Sequence, residues 1–397
     1  MMGNNVFVSE SVAAGHPDKL CDRISDAIVD RFLAQDPLAR VDVECAMATG
    51  IVFVASHYAA ELAPDVVAIA RRVIDASGYR DQAFNARDCT VMTTLHERTD
   101  LSRAPGDEED LPETELDQLT SDDAVTVFGY ACAESATLMP LPIHLAHRLA
   151  RALDTAREQG TLPWLHPDGS VQVAVRYEDG LPSAIHSLTL APTVLDEGIG
   201  RDPKRLRDEL MGAVVAPAFE GETLRPKRNT RILIAPPRLL RSGGPSRHAG
   251  LTGRKTAIDT YGEYTRTSGS ALSGKDPLQT DRIGVYGARW AAKNVVAAGL
   301  AGYCEVLLSY ELGSAEPVSV QVRSFGSSSE SDEELTNRVK RAFDFRPAAL
   351  MRAFALRRRV STAPNGYLQH LATYGQVGRE DLDLPWEQRD RIEALTG

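Results

Sequence analysis

The sequence predicts an α+β protein assembled from three strand–helix–strand blocks. Its 397 residues suffice for two or three compact domains with a large buried core. Short apolar runs of strand type alternate with helical periodicity along the whole chain. The blocks are of similar size without sharing residue identity, the pattern of an α+β repeat.

The first element is a short apolar strand at 6–8. Leu20, Ile24, Ala27, Ile28, Phe32 and Leu33 then recur at helical spacing. A helix therefore starts just behind Gly15-His16-Pro17-Asp18-Lys19, with Pro17 suited to its first turn. A helix N-terminus presents free N–H groups and partial positive charge, which suits a phosphate flanked by His16, Asp18 and Lys19. The competing reading of His16 is a helix-start residue satisfied by backbone. Residues 41–54 read as two strands broken near Thr49-Gly50. Glu44 lies inside the first, and a carboxylate in a strand core needs a partner or a bound cation.

A helix over 64–77 and a strand over 89–95 follow. Residues 106–123 carry nine acids in eighteen positions, which predicts a mobile surface loop or linker. The expected division is an N-terminal domain at 1–105, the acidic linker at 106–123, a central domain at 124–236 and a C-terminal domain at 237–397. The central part holds a strand at 125–133 and a helix at 142–158. His144 and His147 share a face of that helix, where a core or surface role outweighs metal binding. A turn-rich connector at 160–170 leads to paired strands at 171–177 and 185–191, a helix at 203–215 and a strand at 231–235. The last part has a helix at 283–298, strands at 304–312 and 317–322, and a helix from 335. Arg357-Arg358-Arg359 reads as solvated surface.

The chemistry concentrates in residues 250–282. Two short glycine-bounded turns, GLTGRK with Arg254 and Lys255 and SGSALSGKD with Lys275, enclose a β-like run, and Asp276 and Asp281 follow. Glycines let backbone approach a ligand, cations neutralise phosphate oxygens, and nearby aspartates can hold Mg²⁺. No Walker A spacing occurs, so this is not an ordinary phosphate-binding loop. A net charge of −11 excludes a general nucleic-acid binder. Five scattered cysteines without C-x-x-C spacing argue for reduced thiols and a cytoplasmic location. No apolar run approaches membrane length, and the first residues do not form a signal peptide.

GHPDK with SDAIVD behind it, FGYA, LMP, GTLPWL, GLTGRK, SGKDP and YGQVGRE, in this order, resemble the S-adenosylmethionine synthetases (methionine adenosyltransferases). The resemblance runs from about Val6 to Trp386. It implies three similar α/β subdomains about a pseudo-threefold axis. It also implies a homodimer or dimer of dimers with active sites between subunits. The implied reaction is attack of the methionine sulfur on C5′ of ATP, releasing triphosphate that is then cleaved to phosphate and pyrophosphate. By the same resemblance, His16, Arg254, Lys255 and Lys275 contact the triphosphate. Lys19, Asp123, Asp168, Ser170 and Leu240 belong to the ATP site, Asp18 and Asp281 hold Mg²⁺, and Glu44 holds K⁺.

This chain also departs from the family pattern. A glycine-rich GAGDQG stands as TSDDAV, keeping only Asp123, Leu272 replaces an aromatic, and a lysine active in adenosyl transfer falls on Ser170. The carboxylates that grip the methionine ammonium fall on His57 and His248. The glutamine and lysine that meet its carboxylate fall on Arg98 and Gln279. An imidazole, neutral or positive near pH 7, cannot replace a carboxylate against an ammonium. Three readings follow: an enzyme that still uses methionine, one whose acceptor lacks the α-ammonium or bears an extra anion, and a non-catalytic ATP-binding or regulatory paralogue.

Overall fold

A computed structural model describes residues 5–80, 82–99, 104, 106–194, 202–235 and 243–397. Its centre is helix α1, Pro17–Gln35, with His16 as N-cap and Pro17 at the first position. Leu20, Ile24, Ile28 and Phe32 are fully buried on it, at the spacing that places them on one face. Its opposite face is also covered, and there the sequence supplies acids: Asp18, Asp22, Asp26 and Asp30, one per turn.

The strands form three sheets, and α1 packs on the first of them. In the first, β2 (Arg40–Ala48) pairs antiparallel with β3 (Ile51–Ala59), which runs parallel to β4 (Thr90–Glu97). Helix α2, Val66–Ala76, makes the parallel crossover, and Thr49 takes the left-handed conformation in the β2–β3 turn. The second sheet has the order β1-β6-β7-β8, from Asn5–Val12, Leu165–Glu178, Leu181–Val194 and Arg231–Ile234. The third joins β5 (Val125–Cys132), β10 (Tyr303–Tyr310) and β11 (Ser319–Arg323). Each sheet takes a strand from a distant stretch of chain. β1 lies against β6, β5 against β10, and the two-residue β9 (Gly250–Leu251) against β2. The fold is thus α+β with three sheets, and no described helix is long and apolar enough to cross a membrane.

Below the third sheet lies the buried helix Thr280–Ala297. Gly129 of β5 lets this helix approach, because a Cβ there would strike the backbone of Ala288. Trp386 stacks on Tyr286 at 3.9 Å, and the closing Gln376 bonds both the Tyr286 hydroxyl and Ser273 Oγ. The tail of the chain thereby seals the C-terminal core.

Four expectations are corrected. The acidic stretch is docked: Glu108 is buried against Arg357, Glu113 pairs with Arg352 at 3.0 Å, and Glu109 with Arg358 at 2.7 Å. Arg357 is accordingly 5% exposed, where solvated surface was expected. The connector at 160–170 already enters β6 at Leu165. The β-like run between the cationic turns is helical at Thr256–Asp259 and Gly262–Tyr264, which shortens the path and brings Asp259 under α1.

The fold predicts a large loss for Asp26→Ala. Arg282 and Asp26 are both 0% exposed and paired at 2.8 Å. Stranding the guanidinium costs on the order of 3–5 kcal/mol, to be read from urea unfolding. A loss under about 1 kcal/mol would contradict this account of the ion pair.

Candidate functional site

The predicted residues fall into two clusters at opposite ends of β2. The first surrounds the start of α1. His16 Nδ1 accepts from Asp18 N–H at 3.2 Å, capping the helix. Asp18 Oδ1 accepts from Leu251 N–H at 3.0 Å and from Arg254 Nε at 2.8 Å, so the first cationic turn is fastened to the helix start. Lys255 lies 3.4 Å from Glu10. Asp168, on β6, accepts from Gly244 N–H at 2.7 Å and meets His248 Nε2 at 3.0 Å. The His16 and His248 rings are 5.0 Å apart. Ser170 lies two residues along the same strand, opposite Val12 of β1.

Burial is the main force on His16, pushing it down to about 4 against the pull of Asp168 and Asp18, with His248 and Lys255 adding to the decrease. The imidazole is therefore neutral near pH 7, and with Nδ1 accepting, its proton sits on Nε2 as a donor. Burial opposes the Asp168 charge, but the His248 hydrogen bond, the nearby His16 and the Gly244 N–H hold that carboxyl below its usual range.

The second cluster forms around Lys275. Its turn is laced to β2: Val43 N–H donates to Gly274 O at 2.7 Å, Gly274 N–H donates to Asp26 at 2.9 Å, and Lys275 bridges Asp42. Gly274 has φ +88, and a Cβ there would strike Val43 O, so glycine is required. Lys275 pairs with Asp281. Burial lowers its pKa, opposed by Asp42 and Asp123. Gln279 donates to Val41 O at 3.0 Å. Across β3, His57 stands opposite Asp42 and His96, with the two imidazoles 5.7 Å apart. Arg98 N–H bonds Tyr58 O at the same sheet end.

Asp42 pairs with Lys275 and Ala46 with Leu251, so the clusters are separated by four residues of strand, roughly 13 Å. Within one chain the structure does not bring Lys275 to His16, or His57 to His248. Both clusters border one open sheet face. Asp42, His57 and His96 form one cross-strand row on it, Glu44, Ala55 and Thr94 the next, and Leu251, Ala46, Phe53 and Met92 a third. Phe53 and Met92 are 41% and 52% exposed.

Three site expectations change. Lys19 is 1% exposed and saturated by Asp22, at 2.9 Å, and Asp259; it is an interior ion pair and does not flank a ligand. Glu44 is exposed on the open face, because β2 is covered on one side only, so burial gives no reason for a cation there. Asp276 is taken up by Val41 N–H, Leu278 N–H and Arg40. Asp123 is exposed beside Lys275. Leu240 lies outside the described residues. Sequence reasoning missed Asp22, Asp26 and Asp30, although an acid at every fourth position was a readable signal.

His16 yields a pH prediction. Its folded value of about 4 lies below the ordinary 6.5, so between these values the unfolded chain binds the extra proton and stability falls as pH falls. Relative to wild type, His16→Asn, which retains a capping side chain, should remove on the order of 2 kcal/mol of the loss between pH 7 and pH 5. Parallel urea unfolding of both proteins at the two pH values checks this.

Sequence comparison adds an independent finding. The N-terminal, central and C-terminal domain models of S-adenosylmethionine synthetase match residues 4–100, 118–239 and 242–388. The S-adenosylmethionine synthase of Gloeothece citriformis is 43% identical over 403 residues, covering 98% of this chain and 96% of that protein. Those of Thermosynechococcus vestitus (43%, covering 98% and 97%) and Trichodesmium erythraeum (41%, covering 100% and 97%) are similar.

Proposed function

The chain belongs to the S-adenosylmethionine synthetase family, and on that premise we propose that it transfers the adenosyl group of ATP to the sulfur of methionine. The observation that carries this reading is the pair of cation-bearing turns fastened to one buried helix, Arg254 and Lys255 through Asp18, Lys275 through Asp26.

In this reaction a sulfur lone pair bonds to C5′ while the C5′–O5′ bond breaks, its electrons leaving with the triphosphate. A neutral thioether becomes a sulfonium and negative charge gathers on the leaving oxygen. Cations already fixed in place lower that barrier without reorganising. Arg254, oriented by Asp18, and Lys255 meet the triphosphate, and His16 donates through Nε2 beside the positive end of α1. Lys275 meets the triphosphate from the other side, with Asp123, Asp168 and Ser170 on the nucleoside. Cleavage of triphosphate to phosphate and pyrophosphate follows.

Mg²⁺ and K⁺ belong to the same reading. Hard carboxylate oxygens suit them: Asp18 Oδ1 is engaged by Leu251 and Arg254, which leaves Oδ2 for Mg²⁺. Asp281, which pairs with Lys275, would supply a further oxygen, and Glu44 on the open face would hold K⁺. Bound Mg²⁺ neutralises triphosphate charge as the bond breaks. Five free, buried cysteines support a reducing, cytoplasmic setting.

Because one chain separates the clusters, the complete site forms between two copies. The exposed Phe53–Met92 row fits the packing of one open sheet face on another. Mixing provides the test. His16→Ala and Lys275→Ala should each be inactive, yet a re-equilibrated equimolar mixture should recover about a quarter of wild-type activity, since half the dimers carry one intact site in two. A mixture as inactive as its components would refute the shared site.

A second reading is favoured by His248, whose Nε2 is engaged by Asp168, and by His57 opposite Asp42. Neither imidazole can serve an ammonium as a carboxylate does, which favours an acceptor lacking that group or bearing an extra anion. Incubation with ATP, Mg²⁺ and K⁺, with and without methionine, followed by mass spectrometry separates the readings. Rapid S-adenosylmethionine formation supports methionine. Transfer only to another thioether supports the altered acceptor, and ATP binding without turnover supports a regulatory paralogue.

A further inference from the structure

We infer that His16, Asp168 and His248 form a binding site for one divalent transition-metal ion of the Zn²⁺ or Mn²⁺ class, distinct from the Mg²⁺ that accompanies a nucleotide. One ligand atom from each residue lies within 4.8 Å of the others. Two imidazoles and one carboxylate are a donor set for first-row transition metals, whereas Mg²⁺ prefers oxygen alone. The 3.0 Å between His248 Nε2 and Asp168 Oδ2 falls in the range of neighbouring ligands held about 2.0–2.2 Å from one metal, roughly 2.8–3.1 Å at octahedral and 3.3–3.6 Å at tetrahedral angles.

Each of the three residues is anchored by the protein itself. Asp168 is 5% exposed and fixed by Gly244 N–H. The adjoining Gly243 backbone comes so near that a Cβ there would meet Asp168 Oδ2 at 2.7 Å. His248 is anchored in the same turn by its own N–H to Gly244 O at 3.2 Å. His16 stands at the N-terminus of a nineteen-residue helix. Coordination through His16 Nε2 uses the tautomer with the proton on Nδ1, which exchanges the hydrogen bond accepted from Asp18 N–H for one donated toward the Asp18 carboxylate, whose Oδ2 lies 3.7 Å away, the usual partner of a metal-bound imidazole. Three protein ligands leave further positions open, and the 40% exposed His248 side chain keeps them accessible to solvent or to a small anionic ligand.

The site shares His16 and Asp168 with the proposed ATP contacts, so it deepens that reading, but it requires neither ATP nor turnover. The test therefore uses chelator-treated, nucleotide-free protein in excess Mg²⁺, titrated with Zn²⁺ by calorimetry and with Co²⁺ by visible absorption. The expected result is one saturable site per chain with the ligand-field bands of a nitrogen–oxygen Co²⁺ centre. His248→Asn and Asp168→Asn should each weaken binding by roughly ten- to a hundred-fold. His57→Asn and His186→Asn, controls at two of the seven other histidines, should leave it unchanged. Circular dichroism on each variant confirms folding. No saturable binding in Mg²⁺, binding unaltered in His248→Asn, or binding lost in His57→Asn would each overturn the site. Product formation from ATP is scored separately, so an active protein that binds no Co²⁺ sinks only this inference. A Co²⁺-binding protein that transfers nothing sinks only the transferase reading.

Discussion

Four aspartates on one helix hold this molecule together. Asp18 accepts from Leu251 N–H, Asp22 from Gly253 N–H, Asp26 from Gly274 N–H, and Asp30 from three successive amides at Tyr367, Leu368 and Gln369. At one acid per turn they lie along one face of α1, and each fixes a segment more than two hundred residues away. Burying such charges is unfavourable unless every one is paired and hydrogen-bonded. Lys19 and Arg282 supply the pairing for Asp22 and Asp26, and backbone amides, those of Gly253 and Gly274 among them, supply much of the rest. The glycines of the cationic turns thus serve the helix beneath them as well as any ligand above.

This arrangement explains which features could be read from sequence. Helix α1, the β2–β3 hairpin and the paired β6 and β7 were legible because local periodicity and turn residues determine them. The acidic stretch was misread because its nine acids were counted without their partners. Arg346, Arg352, Arg357 and Arg358, which dock it, lie some 240 positions later. Lys19 looked like a phosphate contact for the same reason, since Asp259, which neutralises it, is equally remote. The burial expected of Glu44 failed on a different ground: strand alternation gives two faces but cannot say which of them a neighbour covers.

The candidate site was legible as a set of residue types and illegible as a geometry. Resemblance gathered His16, Arg254, Lys255, Lys275 and Asp281 into one list, whereas the fold divides them between the two ends of β2. His57 and His248, paired in sequence reasoning as two changes to one pocket, have different neighbours: Asp42 and His96 for one, Asp168 and His16 for the other. Each substitution therefore has its own electrostatic consequence.

The exchange of strands between sheets bears on how the chain is made. β2, β3 and β4 emerge from the ribosome early, but β9, which completes their sheet, is some 150 residues further on. Likewise β1 must wait for β6, and β5 for β10. With pairings this distant, closure entropy delays each sheet until its remote strand has been synthesised. Nascent chains then carry unpaired edges and an uncovered charged helix for most of translation, a period in which chaperone capture competes with aggregation.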